Sequence, residues 1–184
     1  MPAPTADVSV RVAWGDDAPA IAELQLRAWR TTYADVFPAG TIPTGPEAVD
    51  AAASAWRDSL DKPGDARNRV LVALERNRVV GFAITGPAGD PDCDPIADGE
   101  LQELTVDPGE RGKGHASRLV QAAADTMVAD RFTRAVIWVL ATDDDLRRFL
   151  TEAGWAPDTA HRELDLDGSG ATVVKQVRLH TALS

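Results

Sequence analysis

The feature that most constrains this chain is a glycine-rich turn between an apolar strand and a helix. Residues 101–106 have the pattern of a strand, which ends at Asp107-Pro108, and a helix is predicted to follow from about Ala116. The intervening turn includes the sequence Arg111-Gly112-Lys113-Gly114-His115-Ala116. Glycines let backbone N–H groups approach a ligand closely, and a helix N-terminus adds unpaired donors and partial positive charge. The segment therefore predicts a site for an anion such as a pyrophosphate.

Two nucleotide-binding motifs compete for this segment, and neither fits. Gly109 and Gly114 have the spacing of a Walker A loop, but the lysine and hydroxyl residue that should follow are replaced by His115-Ala116. Gly112 and Gly114 match the first two glycines of a Rossmann loop, but Ser117 stands at the third position. The turn needs another explanation.

The turn resembles the acyl-CoA loop of the GNAT acetyltransferase superfamily, whose pattern is Gln/Arg-x-x-Gly-x-Gly/Ala. Arg111, Gly114 and Ala116 satisfy that pattern. The flanks are also similar: residues 100–108 resemble the family's fourth strand, and residues 149–155 its Phe-Tyr-x-x-x-Gly-Phe segment. With the first-helix region near residues 29–38, the resemblance to bacterial, single-domain members covers nearly the whole chain.

The resemblance implies a single α/β domain: a mixed sheet of GNAT type with splayed central strands and flanking helices. It implies acetyl-CoA as cosubstrate and no metal. The backbone at Leu104 and Val106, with Thr105 between them, would bind pantetheine by strand-edge hydrogen bonds, and residues 111–116 would hold the pyrophosphate. The implied activity is transfer of the acetyl group to a primary amine of a small molecule or peptide by direct attack.

Such a reaction needs a base, because a protonated amine has no lone pair with which to attack. Glu103 and Glu100 are the candidates, and Glu103 is favoured because it lies nearer to the expected acetyl position along the strand. In an ideal strand the two side chains would face opposite sides, because their separation is odd. A β-bulge, common near active sites, would change that arrangement.

Two positions depart from the family pattern. Leu150 stands where the family has the tyrosine that serves as acid, and leucine cannot donate a proton. Asp143 stands where the family has an asparagine that often contacts the cofactor, so a donor is lost there too. These departures keep an alternative open, namely a GNAT-like module that binds acyl-CoA with little or no turnover.

The pattern of the remaining chain predicts the element order β-α-α-β-β-β-α-β-α-β-β in one domain spanning residues 1–184, with residues 1–7 flexible. Asp16 or Asp17 is expected to cap the first helix, whose stop is placed at Pro38 and Gly40. In the second helix, residues 47–60, the side chains expected to face inward are those of Ala51, Ala55 and Trp56. Asp143-Asp144-Asp145 is expected to cap the helix that ends at Gly154.

Charge and composition limit the partners. With 29 acidic against 19 basic residues the net charge is -10, which argues against nucleic acid and favours a cationic acceptor. No apolar run is long enough to span a bilayer and no signal peptide is recognisable, so neither membrane nor secretion is expected and the cytoplasm is the default compartment. The Ala-rich helices are compatible with a homodimer.

Several residues that suggest chemistry have simpler interpretations. Cys93, the sole cysteine, lies in an acidic loop that disfavours its thiolate. His115 is expected to be exposed at a helix start, and His161 and His180 are too distant in sequence to indicate a metal site. The aromatic side chains near the first helix are expected to form core or groove wall: Trp29, Tyr33 and Phe37.

Overall fold

The predicted order of helices and strands is confirmed by a computed structural model, which describes residues 7–184. Residues 1–6, most of the segment expected to be flexible, lie outside the described residues. The strands are β1 (Val8–Val12), β2 (Arg69–Glu75), β3 (Arg78–Pro87), β4 (Asp98–Val106), β5 (Arg134–Leu140), β6 (Ala156–Asp165) and β7 (Val173–Ala182). The helices are α1 (Ala18–Thr32), α2 (Pro46–Asp61), α3 (His115–Ala129) and α4 (Asp144–Glu152). Single turns of 3₁₀ helix cover Gly15–Asp17 and Pro108–Glu110.

All seven strands form one mixed sheet in the order β1-β2-β3-β4-β5-β7-β6. Neighbouring strands are antiparallel except for β4 and β5, which run parallel. Their pairing covers only three rungs, the last of which joins Glu100 to Val136, and beyond it the two strands separate. The fold class is therefore as predicted, including the splayed central strands.

The two faces of the sheet are covered by different helices. On one face, α3 and α4 enclose the larger core, in which Leu101, Leu119 and Leu150 are fully buried. On the other face, α1 and α2 cover β2 and β3, where Trp56 packs edge-on against Phe82 with ring centroids 5.4 Å apart. In the described structure α1 and α2 lie over β2, β3 and β4, so this second face is more open beside β5 and leaves room for a site.

The first helix differs from expectation at both ends. Asp17 occupies the N-cap position of α1, as predicted, but its carboxylate accepts from Arg11 at 2.7 Å and from the Trp14 N–H at 2.7 Å and makes no capping hydrogen bond to α1. The helix also ends at Thr32, well before Pro38, because the chain leaves helical geometry at Tyr33. Among residues 7–184, no helix combines the length and apolar character required to cross a membrane.

The inward face of α2 was also predicted incorrectly in part. Ala53 is buried and Trp56 half-buried, as the sheet-facing side requires, whereas Ala51 and Ala55 are exposed. The helix orients by its large side chains, Trp56 and Leu60, which reach the core beneath α1. An alanine-rich helix gives little hydrophobic contrast between its faces, so periodicity could not distinguish them.

Candidate active site

A β-bulge in β4 places the two candidate bases on the same face of the sheet. Ile84 pairs with Glu103 and Thr85 with Leu101, so Gln102 is left without a partner between them. Leu101 and Leu104 consequently both pack toward the α3 core despite their odd separation. Glu100 and Glu103 therefore point to the opposite, partly open face, and the expectation for an ideal strand does not apply.

Glu103 is enclosed by donors from α1 and from its own strand. The Gln25 Nε2 atom lies 3.3 Å and 3.2 Å from its two carboxylate oxygens, and the Thr105 hydroxyl donates to Oε1 at 3.2 Å. The Trp56 indole N–H donates to the Gln25 Oε1 at 3.0 Å, which fixes the amide with its NH₂ group toward Glu103. Burial raises the pKa of Glu103, and the Gln25 and Thr105 hydrogen bonds oppose that rise. A carboxylate with a raised pKa is suited to accept a proton near neutral pH.

Glu100 lies at the last rung that joins β4 to β5, deeper in the cleft than Glu103. Burial raises its pKa, the negative charge of Asp90 adds to the rise, and the positive charge of Arg162 opposes it. Both glutamates thus bind protons more readily than free carboxylates do. Tyr33, half-buried at the end of α1, has a raised pKa because of burial and, secondarily, the charge of Glu103, so its phenol stays protonated.

The edge of β4 that faces the cleft carries unpaired backbone groups. The Asp107 N–H donates to the Val80 carbonyl of β3 at 2.8 Å, so the backbone groups of alternate residues before it also face β3. Those of Leu104 and Val106 then face away from β3, toward the gap where β5 has separated. Thr105 differs, because its backbone faces β3 and its hydroxyl contacts Glu103. An extended ligand could add to this edge through the backbone of Leu104 and Val106.

The glycine-rich turn has the geometry expected of an anion site. Gly112 and Gly114 have φ values of +76° and +83°, a left-handed conformation that favours glycine. Gly114 is the N-cap residue of α3 and supplies no side-chain acceptor, and the first intrahelical bond runs from the Arg118 N–H to its carbonyl at 3.1 Å. The N–H groups of the first helical turn, from His115 to Ser117, therefore have no partner within the helix.

The turn and the first turn of α3 carry three basic side chains, Arg111, Lys113 and Arg118, of which Lys113 is already paired with a carboxylate. The Lys113 ammonium lies 2.5 Å from Glu110 Oε2, while Arg78 binds the other oxygen of the same carboxylate. These two contacts lower the pKa of Glu110 to about 2. Arg111 is exposed, and Arg118 donates to the Lys113 carbonyl at 3.2 Å, so its guanidinium lies over the turn. The turn is thus locally basic in an acidic chain.

His115 was expected to be exposed, and this is wrong. Its side chain is 1% exposed, with Nε2 3.3 Å from Glu75 Oε2, because the start of α3 packs against the end of β2. The side chain thus points away from the turn, and only the His115 backbone is available there. Glu75, Glu110 and His115 bring ligand-type atoms within 4.8 Å of one another, but Arg78 and Lys113 beside Glu110 oppose a metal ion.

The two positions that depart from the family pattern have structural roles. Asp143 caps α4, because its Oδ1 accepts from the Leu146 N–H at 3.0 Å, as the acidic run predicted. That oxygen is an acceptor and offers no donor to a ligand. Leu150 is fully buried in the α3–α4 core, so its side chain lies outside the cleft.

The wall of the cleft opposite β4 was not predicted. Trp138 of β5 faces the open side, where its indole N–H donates to Asp90 at 2.9 Å and the Arg162 guanidinium lies 4.2 Å from its ring centroid. Arg178, 4% exposed, binds Asp90, Asp92 and Asp158 behind this wall. In the sequence, Trp138 belongs to an apolar strand and Arg162 to a polar one, and no local signal joins them.

Comparison with known proteins agrees with this geometry. A sequence model of the acetyltransferase (GNAT) family matches residues 23–155. Among curated proteins, no sequence is significantly similar to the chain. One similar solved structure is yncA from Salmonella typhimurium with its cofactor acetyl-CoA, with 18% identity and a TM-score of 0.71 over 97% of this chain and 95% of that one. Another is ribosomal-protein-alanine N-acetyltransferase from Brucella melitensis, with 18% identity and a TM-score of 0.72 over 95% of this chain and 99% of that one.

A third similar structure is an N-acetyltransferase from Staphylococcus aureus Mu50, with 17% identity and a TM-score of 0.71 over 97% of this chain and 99% of that one. At such identities the three structures establish the fold, and the family assignment rests on the match to residues 23–155. The glycine-rich turn and the separated strands β4 and β5 both lie within the residues that the family model matches. The chain therefore belongs to the acetyltransferase (GNAT) family.

Proposed function

We propose that this protein transfers the acetyl group of acetyl-CoA to a primary amine of a small molecule or peptide, by direct attack of the amine on the thioester. The observation that carries the proposal is the cleft that opens beyond the rung between Glu100 and Val136. The glycine-rich turn lies beyond the far end of β4, and Glu103 lies on the same strand between the two. A single extended ligand could reach from the turn to the glutamate along the free edge of β4.

The residues present fit the coenzyme. The N–H groups at the start of α3 would bind the pyrophosphate, aided by the exposed Arg111 and by Arg118 and Lys113. The Lys113 ammonium now pairs with Glu110, so this ion pair would have to break before Lys113 could contact the pyrophosphate. The backbone of Leu104 and Val106 would bind the pantetheine amides as an added strand. The acetyl group would then lie close to Glu103.

Glu103 would remove the proton from the attacking amine. Its raised pKa and its position in the cleft suit the role, and the donors Gln25 and Thr105 hold the carboxylate in place. Glu100 is the second candidate, deeper in the same cleft. As the C–N bond forms, the C–S bond breaks, and the departing sulfur takes a proton from water or leaves as thiolate, since a thiol has a pKa of roughly 8.5.

A second candidate function is an acyl-CoA-binding module with little turnover. The observation in its favour is Leu150, which is buried in the core where the family pattern has a tyrosine acid. Both functions predict coenzyme binding, and only the first predicts loss of the thioester in the presence of an amine.

The experiment that tests the proposal measures binding and turnover on the same protein. Isothermal titration with acetyl-CoA gives the affinity, and thiol release is followed with a panel of small amines and short peptides. Amine-dependent release that Glu103→Gln reduces supports the transferase. Binding with no release above the amine-free rate would establish the module, and no binding of acetyl-CoA or CoA would reject both.

A further inference from the structure

Glu103 and Trp138 lie level with each other on opposite walls of the cleft. Starting from the last rung, Glu100 with Val136, two residues along β5 lead to Trp138. On β4, Gln102 is bulged, so Glu103 is also two rungs beyond Glu100 in the pairing with β3. Each side chain is thus about 6–7 Å above the last rung, on the same face of the sheet. The strands are roughly 5 Å apart where they pair, so a small molecule can touch both walls.

The wall opposite Glu103 ends in a partly free cation. Arg162 crosses from β6 over β7 and lies on the ring of Trp138, with its guanidinium carbon 4.2 Å from the centroid. Its Nε donates to Gln176 Oε1 at 2.8 Å, which anchors the side chain. The nearest carboxylate within the described part of the chain, Asp90, is 3.9 Å from Nη1, beyond hydrogen-bonding distance. The Nη groups, at the end of a side chain 36% exposed, are available to a ligand.

The neighbouring arginine does not share this property. Arg178 is 4% exposed and donates to Asp90 at 3.0 Å, to Asp92 at 2.8 Å and to Asp158 at 2.7 Å. Three carboxylates therefore compensate its charge. The Asp90 Oδ2 atom accepts hydrogen bonds from Arg178 and from the Trp138 indole. The charge of Arg162 is therefore less compensated by carboxylates than that of Arg178.

We infer that the acceptor is a small amine that carries a carboxylate, as a free amino acid does, and that Arg162 binds this carboxylate while the amine faces Glu103. The inference rests on the proposed function and narrows its acceptor. An arginine on an aromatic ring is rigid and presents paired N–H donors that match a carboxylate. The acceptor's ammonium group would lie near the carboxylates of Glu100 and Glu103, and its carboxylate would lie near the guanidinium of Arg162. An internal peptide lysine lacks an adjacent carboxylate and would forgo the second contact.

The test compares acceptors that differ only in the carboxylate. Glycine, L-alanine, L-methionine, β-alanine and 4-aminobutyrate are each paired with the corresponding carboxamide, and thiol release from acetyl-CoA gives kcat/KM. Wild type, Arg162→Gln and Arg162→Lys are assayed beside Arg148→Gln, a control on α4 whose arginine is 67% exposed. Taking the ratio of variant to wild type for each acceptor cancels the different basicities of acid and amide.

We expect Arg162→Gln to lower kcat/KM for the carboxylates by about 10- to 100-fold, the effect of losing a charge-assisted hydrogen bond, and to change the amides by less than about twofold. Arg162→Lys should retain part of the preference, and Arg148→Gln all of it. An equal loss of kcat/KM for acids and amides in Arg162→Gln would show a merely structural role and overturn the inference, as would a variant that loses activity toward neither. Those results leave the proposed transferase standing. Binding of acetyl-CoA without release from any acceptor, either here or in the wider panel of small amines and short peptides, would overturn both.

Discussion

The Gln25 side-chain amide donates to the Glu103 carboxylate, with Nε2 3.3 Å and 3.2 Å from its two oxygens. The Trp56 indole N–H occupies the amide oxygen at 3.0 Å, so the amide cannot turn that oxygen toward the carboxylate. The three residues form a chain from α2 through α1 to β4. These contacts favour the ionised form of a buried acid, because Gln25 donates to the Glu103 carboxylate and Trp56 holds Gln25 in the orientation that lets it do so.

Replacing Gln25 should therefore change the pH dependence of catalysis. Burial already raises the pKa of Glu103 and the Gln25 hydrogen bond lowers it, so Gln25→Leu should raise that pKa further. A base works only when ionised, and the acid limb of the kcat/KM profile should move to higher pH. Trp56→Phe should shift it in the same direction by less.

Gln121→Leu is the matched control, since Gln121 lies on the exposed side of α3 and bonds only to Asp125 at 2.9 Å in the described structure. Its profile should coincide with that of wild type. An acid limb that stays in place in Gln25→Leu would mean that Glu103 is not the group that titrates.

The two glutamates should differ in their contribution to rate. Glu103→Gln should reduce kcat/KM by about 10²- to 10⁴-fold near neutral pH, the usual size of a general-base contribution. Part of the activity should return at high pH, where the free amine is already deprotonated. Glu100→Gln should reduce kcat/KM by a smaller factor. A larger loss from Glu100→Gln, with Glu103→Gln nearly active, would exchange their roles.

Glu103→Gln should also leave the fold at least as stable. A carboxyl group whose pKa is raised on folding opposes folding once it ionises, so the penalty is absent below its unfolded pKa and complete above its folded pKa. The variant should gain stability relative to wild type as the pH rises through that window. Urea denaturation at pH 4 and pH 7 measures the difference, and its disappearance at pH 7 would contradict the raised pKa.

How far the sequence could predict this site depends on whether each signal is local. The turn around Gly112 and Gly114 is defined by neighbouring residues, so the sequence alone predicts a glycine-rich turn there, and the left-handed φ values of both glycines agree with it. The bulge at Gln102 depends on the register between β3 and β4, which no single strand encodes. His115 is buried by contact with Glu75, a residue of β2. Arg162 and Trp138 meet only because β5, β7 and β6 are neighbours in the sheet.

The glycine turn permits a test that separates backbone strain from ligand contact. Gly114→Val should abolish acetyl-CoA binding in a calorimetric titration, because a side chain at φ +83° distorts the start of α3 and would lie against Arg118. The backbone strain itself should cost about 1–3 kcal/mol of stability.

Gly168→Val is the matched control, because Gly168 has φ +74°, open space around it and a place in the turn between β6 and β7. It should lose a similar amount of stability and keep the affinity for acetyl-CoA. Unchanged affinity in Gly114→Val would show that the pyrophosphate does not bind at this turn.

The buried Arg178 should matter more for stability than any exposed arginine. Its side chain is 4% exposed, and its partner Asp158 is 9% exposed, so Arg178→Met removes the nearer of two cations from a buried carboxylate and leaves Arg134, 3.1 Å from Asp158 Oδ2. Leaving a buried charge unpaired costs about 3–5 kcal/mol, so with Arg134 still beside Asp158 the loss should not exceed that range, whereas Arg148→Met, at a site 67% exposed, should stay within about 0.5 kcal/mol of wild type. Urea denaturation at pH 7 measures both.

Acid should reduce the difference between Arg178→Met and wild type. The hydrogen bond from Arg178 lowers the pKa of Asp92 to about 2, so the stability from that contact is present above the ordinary pKa of an aspartate and lost as the pH falls toward 2. The two unfolding curves should therefore approach each other between pH 4 and pH 2. Curves that stay equally far apart through this range would mean that Arg178 acts through packing on Trp138, whose ring centroid is 5.5 Å away, and not through its carboxylates.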